Sequence, residues 1–154
     1  LFYVFIPFLI ARRYGMQLPR LTGWKSSFSA LPFVSIYLIG FAFVKGISAG
    51  SIFSLLAVIV WPAFGEEFMF RGILQKALHD ILKNPVTAIV LTSVLFSASH
   101  IPIYVLAASG PVLLGWSGLL PIMLMSFFWG YGYYRTGVLW PWILIHAASN
   151  MIGI

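Results

Sequence analysis

IFSLLAVIVWPAFGEEFMFR, residues 52–71, joins a long apolar run directly to a group of charged side chains. The apolar part is typical of a helix in a lipid bilayer, and the segment continues as an amphipathic helix towards Leu82. Glu66, Glu67 and Arg71 lie within this helix. A charge at the centre of a bilayer costs roughly 2.5–3.5 kcal/mol, so such residues usually face the interior of a helix bundle and have a function.

The composition of the whole chain also indicates a membrane protein. Of its 154 residues, 61% are hydrophobic and 8% are charged, and the mean hydropathy is +1.00. A soluble domain has about 25% charged residues. The net charge of +6 comes from basic residues scattered among apolar runs, which is not the basic patch of a nucleic-acid-binding protein. The absence of cysteine excludes disulfides and thiolate chemistry.

Apolar segments recur along the entire chain and predict about six spans. They lie at 1–11, 28–44, 52–82, 85–109 with a bend near Pro102, 116–134 and 138–154. The first is shorter than the roughly 20 residues that a span needs, so we expect the chain to be a piece of a longer protein. We predict an all-α fold, a polytopic helix bundle that forms a single domain over residues 1–154.

The basic residues of the predicted loops fall mostly on one side of the membrane. The side expected to be cytoplasmic collects seven, and the other side has only Lys45. Cytoplasmic loops are enriched in Lys and Arg, so this asymmetry supports the orientation. The seven are Arg12, Arg13, Arg20, Lys25, Lys76, Lys83 and Arg135.

Few side chains in this sequence can do acid–base chemistry. The three acidic residues are Glu66, Glu67 and Asp80, and the three histidines are His79, His100 and His146. His79 and Asp80 lie at the end of the third segment, where solvated polar residues are expected. The other four lie inside predicted spans, which makes them the candidates for a site.

Four-residue spacings pair these candidates on helix faces. Glu67 and Arg71 have the orientation that favours a helical ion pair, so they can neutralise each other within the membrane. Glu66 points about 100° away and has no partner in its own helix. Phe96 shares a face with His100.

A similar spacing joins His146 to Asn150. Small residues separate the two, which allows a neighbouring helix to approach closely. A lone histidine in a membrane is often only a polar contact between helices. Here three spans together carry two histidines, an amide and an unpaired glutamate. These groups include a base and hydrogen-bond donors, which is the set that a catalytic site needs.

These three motifs, in this order, resemble the CPBP intramembrane proteases, also known as type II CAAX prenyl endopeptidase-like proteins or the bacteriocin-processing Abi family. The family's patterns are Glu-Glu-x-x-x-Arg, Phe-x-x-x-His and His-x-x-x-Asn, and all are present within residues 52–154. The chain is shorter than the usual eight-span bundle. The resemblance implies a peptidase that cleaves a membrane-associated or prenylated peptide.

The resemblance also implies roles for the motif residues. Glu66 with His100 would activate a water molecule, and His146 with Asn150 would stabilise the oxyanion. Glu67, Arg71 and Phe96 would surround these groups and hold them in orientation. The protein would be an integral multi-pass membrane protein, in the cell membrane of a prokaryote or the endoplasmic reticulum of a eukaryote.

A zinc site is the competing mechanism. Glu66, His100 and His146 form a two-histidine, one-glutamate set, which suits a catalytic zinc ion with one open position. The sequence has no His-Glu-x-x-His helix, and asparagine is an uncommon zinc ligand, so we favour catalysis without a metal or other cofactor.

Two other classes of function remain open from the sequence. A proton-coupled transporter also places Glu, His and Arg in the membrane, although it usually has paired, interrupted half-helices that this chain does not show. A non-catalytic protein of the same fold, such as an immunity or scaffold protein, would keep the helices without turnover.

Overall fold

The computed structural model describes residues 2–106 and 118–153, and every regular element in them is a helix. This confirms the predicted all-α class. We number the helices α1 (Phe2–Arg13), α2 (Lys25–Lys45), α3 (Ala49–Leu82), α4 (Pro85–Ala98), α5 (Ile101–Leu106), α6 (Leu119–Thr136) and α7 (Trp140–Ile152).

Three helical stretches in the described part of the chain are long and apolar enough to cross a membrane. They are α2, α3 and Pro85–Ile103, which runs from α4 into α5. α1 and α7 have 12 and 13 residues, fewer than a span needs. The end of α6 is rich in glycine and tyrosine and includes Arg135, which lowers its hydropathy. The count of about six spans therefore stays a prediction, and the predicted ends at 107–109 and 116–117 lie outside the described residues.

The described helices expose many large apolar side chains, more than is usual for a protein in water. Phe43, Phe53 and Val60 expose 91%, 73% and 72% of their surface. Many other large apolar side chains on α1 to α4 are also exposed. Such a surface is stable only against another apolar phase, so the helices have lipid-facing sides.

α3 is broken near its middle. Trp61 has an extended backbone conformation (φ −154°, ψ 118°), and Pro62 follows it. Proline lacks the N–H that would continue the helical hydrogen-bond ladder, which accounts for a break here. Beyond the break the helix resumes, and Phe68–Gln75 is wound as a π-helix. The predicted continuous segment is therefore two helical halves with different surroundings.

Local sequence signals set several helix ends. The side chain of Asn84 caps α4 by accepting from the Thr87 N–H at 3.1 Å, and Pro85 takes the first position. Gly137 ends α6 with a positive φ of 68°. We predicted a bend near Pro102, but the turn between α4 and α5 lies at Ser99 and His100. Proline is tolerated in the first turn of a helix, and Pro102 lies there in α5.

Helix pairs enclose two hydrophobic clusters. α2 packs along α7, and α4 packs along α6. One cluster surrounds Ala63, Phe68 and Ile143, and the other surrounds Phe70, Phe96 and Trp129. The second half of α3 contributes to both clusters, so its polar side chains are enclosed by three other helices.

Candidate active site

The second half of α3 brings its charged side chains into the interior of the bundle. Glu67 and Arg71 are fully buried, and the side chain of Glu66 retains 13% of its exposure. Gly65 precedes them at a close approach to α1, where an added Cβ would lie 3.2 Å from the Tyr3 Cβ. The helix therefore presents its two glutamates to different surroundings, since Glu67 is enclosed and Glu66 remains partly exposed.

Arg71 is held by an ion pair, a hydrogen bond and two aromatic rings. Its Nη1 lies 3.1 Å from Glu67 Oε1, and its Nη2 donates to Ser126 Oγ at 2.9 Å. The guanidinium carbon is 4.4 Å from the centroid of Phe96 and 5.4 Å from that of Trp129. Cation–π contacts of this kind strengthen when water is excluded. The predicted pairing of Glu67 with Arg71 is thus present as a buried contact.

His146 lies between the two glutamates. Its Nδ1 is 2.9 Å from Glu67 Oε1, and its Nε2 is 3.6 Å from Glu66 Oε2. The imidazole stacks on Trp129 with a centroid distance of 4.4 Å and an angle of 23°. An ionised carboxylate only accepts hydrogen bonds, so an ionised Glu67 requires that Nδ1 donates. Glu67 then fixes the imidazole orientation and leaves Nε2 facing Glu66.

His100 lies at the turn that follows α4 and is half-buried. Its Nδ1 donates to the Phe96 carbonyl oxygen at 2.9 Å, because a carbonyl can only accept. In the neutral imidazole, Nε2 then carries the free lone pair. The Phe96 ring lies 4.9 Å from the His100 ring and 5.8 Å from the His146 ring, measured between centroids. The structure therefore places both histidines beside Phe96, and it is His146 that lies 3.6 Å from Glu66.

Asn150 differs from the other predicted site residues. It lies one helical turn beyond His146 on α7, but its side chain is exposed and forms no hydrogen bond to the residues that the structure describes. The structure does not show it in contact with the buried group. Its amide is free to donate to a molecule that enters from the exposed side of α7.

The predicted zinc alternative gains no geometric support. Among the described residues, no group of three His, Cys, Asp or Glu side chains is arranged to hold a metal ion. His146 directs one nitrogen to each glutamate, and His100 uses Nδ1 for the Phe96 carbonyl. Zinc binding would require Glu66, His100 and His146 to rearrange around a common point.

Two residues of this cluster were not singled out from the sequence. Ser126 binds Arg71, and Trp129 covers His146. Both are buried on α6, whose sequence has no charged residue before Arg135. A serine within an apolar helix is a weak signal, and a tryptophan is ordinary in a hydrophobic core. Only the position of α6 against α3 reveals their contact with the charged residues.

The arrangement can perform acid–base chemistry in an enclosed space. Glu66 is the partly exposed carboxylate, and Glu67 is paired with both Arg71 and His146. A carboxylate near imidazole groups can accept a proton from a water molecule and return it to a leaving group. Glu67 pairs with Arg71 and holds His146 in place, whereas Glu66 makes only the longer contact to His146.

One comparison with known proteins identifies a family. The family model described as type II CAAX prenyl endopeptidase Rce1-like matches residues 48–152. No curated protein and no solved structure matches the chain. The match spans all three motifs predicted from the sequence, and it favours neither a transporter nor a non-catalytic protein. The chain belongs to the Rce1-like family of type II CAAX prenyl endopeptidases, a family of membrane proteases.

Proposed function

We propose that this protein is an intramembrane endopeptidase in which Glu66 activates a water molecule to hydrolyse a peptide bond. The observation that carries this proposal is the buried group of Glu66, His146, Glu67 and Arg71 in an otherwise apolar bundle. Family membership supplies the reaction class. The arrangement of side chains supports the assignment of the base.

Glu66 is the proposed base because it is the carboxylate without a dedicated cation. Glu67 contacts Arg71 at 3.1 Å and His146 at 2.9 Å, whereas Glu66 approaches His146 only at 3.6 Å. A carboxylate that is less firmly paired can bind a water molecule and take its proton. His100, whose Nδ1 is occupied by the Phe96 carbonyl, offers Nε2 as a second acceptor for the same water.

His146 and Asn150 are the proposed donors to the oxyanion. Because Nδ1 of His146 is bonded to Glu67, donation from Nε2 requires the doubly protonated imidazole. The Asn150 amide, which is free of hydrogen bonds among the described residues, would donate once a substrate lies along α7. Donors directed at the developing oxyanion stabilise the transition state more than the substrate.

The proposed substrate is a membrane-associated peptide, with a prenylated C-terminal peptide as one form. We further propose a multi-pass topology with about six spans in this chain. The location follows the organism, the cell membrane in a prokaryote and the endoplasmic reticulum in a eukaryote. The three long apolar stretches and the apolar surface support an environment of lipid.

The test is cleavage of a peptide library by detergent-purified protein. The library contains prenylated and unprenylated C-terminal peptides. Glu66→Gln keeps the shape of the side chain but cannot accept a proton, so we expect cleavage to be lost while fold and peptide binding are kept. Asp80→Asn is the matched control, since Asp80 is an exposed carboxylate at the far end of the same helix. Substantial cleavage by Glu66→Gln would make Glu67 the candidate base instead.

Chelation separates the proposed mechanism from the zinc alternative. A zinc peptidase loses activity to a chelator and regains it with added zinc, because the ion supplies the activated water. Glutamate catalysis without a metal predicts cleavage that resists chelators. Activity that a chelator removes and zinc restores would replace the proposal with the zinc mechanism.

A further inference from the structure

Polar side chains form a line along the second half of α3. Glu67, Arg71, Gln75 and His79 follow one another at four-residue intervals. The first two are fully buried, and Gln75 is 5% exposed. Side chains four residues apart share a helix face. The line therefore runs from the candidate active site to the end of α3 that carries Lys76 and Lys83.

α6 faces this line with small or polar groups in the same register. Arg71 donates to Ser126 Oγ at 2.9 Å, and Gln75 Nε2 donates to the Gly130 carbonyl oxygen at 2.9 Å. His79 meets the ring of Tyr134 edge-on at 5.9 Å. The two helices thus form a polar seam, which we define as Glu67, Arg71, Gln75, His79, Ser126, Gly130 and Tyr134.

Several buried atoms of the polar seam have no hydrogen-bond partner among the described residues. They are Glu67 Oε2, Arg71 Nε, Arg71 Nη1 and Gln75 Oε1. Arg71 Nη1 lies close to Glu67 Oε1 but is not aligned for a hydrogen bond. Buried polar groups are almost always satisfied by protein or by ordered water. Four unsatisfied atoms in one line indicate bound water along that line.

A cavity of about 140 Å³ opens at the basic end of the polar seam. Its walls include Gln75, His79 and Tyr133. A water molecule occupies about 30 Å³ in the liquid, so this cavity has room for several. Gln75 is one of its lining residues and also has the unsatisfied acceptor Oε1. The cavity therefore borders the polar seam at Gln75 and His79.

We propose that the polar seam is a hydrated path that carries water from the basic end of the bundle to the Glu66–His146 pair. Its use rests on the proposed function, since each peptide bond that is hydrolysed consumes one water molecule. Gly130 is central to the path. A Cβ at this position would lie 2.8 Å from Gln75 Oε1 and 3.2 Å from Ile89 Cγ2, so an added methyl group would displace the Gln75 amide from its place in the polar seam.

The path can be tested without measuring peptide cleavage, because the chain has no cysteine. Single cysteines are introduced at Gln75 and Ser126, and the silver ion is used as a small, water-borne thiol probe in detergent or vesicles. Free thiol is then counted with a maleimide dye after denaturation. The matched controls are Ala77→Cys, in the apolar groove beside α1, and Phe127→Cys, on the outer face of α6.

We expect Gln75→Cys and Ser126→Cys to react at least about tenfold faster than their controls, because thiols react as thiolates and thiolates form poorly outside water. Rates at Gln75→Cys and Ser126→Cys that equal or fall below those of Ala77→Cys and Phe127→Cys would overturn the proposal. Gln75 and Ser126 lie on different helices, so fast labelling at both positions cannot come from a local distortion of one helix.

Closing the path gives a second measurement. Gly130→Ala is expected to slow silver labelling of Ser126→Cys and to lower kcat, with KM for the peptide unchanged. Unchanged labelling in a folded Gly130→Ala protein would contradict the path. Rapid labelling in a protein that cleaves no peptide would support the hydrated path and count against the proposed peptidase, so the two proposals fail separately.

Discussion

Arg71 is fixed by more kinds of interaction than any other residue described above. It pairs with Glu67, donates to Ser126 and lies over Phe96 and Trp129. Its neighbours come from α3, α4 and α6, so one side chain links three helices. Removing one member of a buried ion pair is strongly destabilising, because it leaves the other charge uncompensated.

Arg71→Ala should therefore destabilise the folded protein by about 3–5 kcal/mol, because it leaves the Glu67 carboxylate buried without its cation. The measurement is folded yield and thermal unfolding in detergent. Arg135→Ala is the control, since Arg135 is exposed and has no carboxylate partner among the described residues. Normal expression and stability of Arg71→Ala would count against a structural role for the ion pair.

Asn150→Ala should leave a measurable residue of peptidase activity. Losing one oxyanion donor typically lowers kcat by a factor of about 10²–10³, whereas losing the base removes the chemical step. Stability should be unchanged, because the Asn150 side chain is exposed. The measurement is kcat on the peptide that the wild-type protein cleaves. An unaltered kcat would remove Asn150 from the proposed site.

The composition of the site was largely predictable from the sequence, but its pairing was not. Charged residues inside apolar segments identified Glu66, Glu67, Arg71 and His146. We expected His146 beside Asn150, yet its closest polar contact is Glu67 at 2.9 Å. Contacts between helices depend on their rotation and crossing, which four-residue spacing within one helix does not specify.

At the scale of helices, Gly132 sets the contact between α6 and α7. A Cβ at Gly132 would lie 2.0 Å from the ring of Trp142. Trp142 is buried, and its Nε1 donates to Thr136 Oγ1 at 3.0 Å, so the ring cannot easily move away. α7 carries His146 one turn beyond Trp142, so the position of His146 in the candidate active site depends on this contact.

Gly132→Ala should accordingly lower both the unfolding temperature and the activity. Gly40→Ala is the matched control, because its new Cβ would meet only Ile152 Cδ1 at an ordinary 3.8 Å within α2. Alanine is favoured over glycine inside a helix by about 1 kcal/mol, so Gly40→Ala should be neutral or stabilising. Equal unfolding temperatures for the two variants would show that Trp142 relocates freely.

The helices could be predicted from the apolar runs and from the proline, glycine and charged residues that end them. The predicted segments 28–44 and 52–82 correspond to α2 and α3. The break at Trp61 was not predicted, because a proline in an apolar run is compatible with either a kink or a continuous helix. The bend that we predicted near Pro102 lies two to three residues earlier, at Ser99 and His100, since no glycine marks the turn and Pro102 was the stronger local signal.

At the scale of the whole molecule, the distribution of basic residues predicts which end faces the cytoplasm. Arg20 and Val138 form a backbone bridge, so the loop after α1 and the turn after α6 lie at the same end. Lys76, Lys83 and Arg135 lie near that end as well. Lys45 is the last residue of α2, at the end opposite Lys25.

Single cysteines at Tyr14 and Ile47 test this orientation, because both side chains are exposed and the chain has no cysteine of its own. A membrane-impermeant maleimide applied to intact cells should label Ile47→Cys and spare Tyr14→Cys, as the positive-inside rule requires. Permeabilised cells, in which both should react, provide the control. Labelling of Tyr14→Cys in intact cells would reverse the assigned orientation.

The break at Trp61 divides α3 into two halves that should tolerate substitution to different degrees. Ala49–Val58 has no buried residue, whereas six of the eight residues in Phe68–Gln75 are buried. Before the break most side chains face outwards, and Leu55 and Val58 are among the few that pack against a core cluster, so most positions can accept any apolar side chain. After the break, most side chains are buried against particular residues of other helices, so the amino acid at each of these positions is constrained. A saturation library of α3 should therefore show broad tolerance up to Trp61 and a narrow choice of residues beyond it.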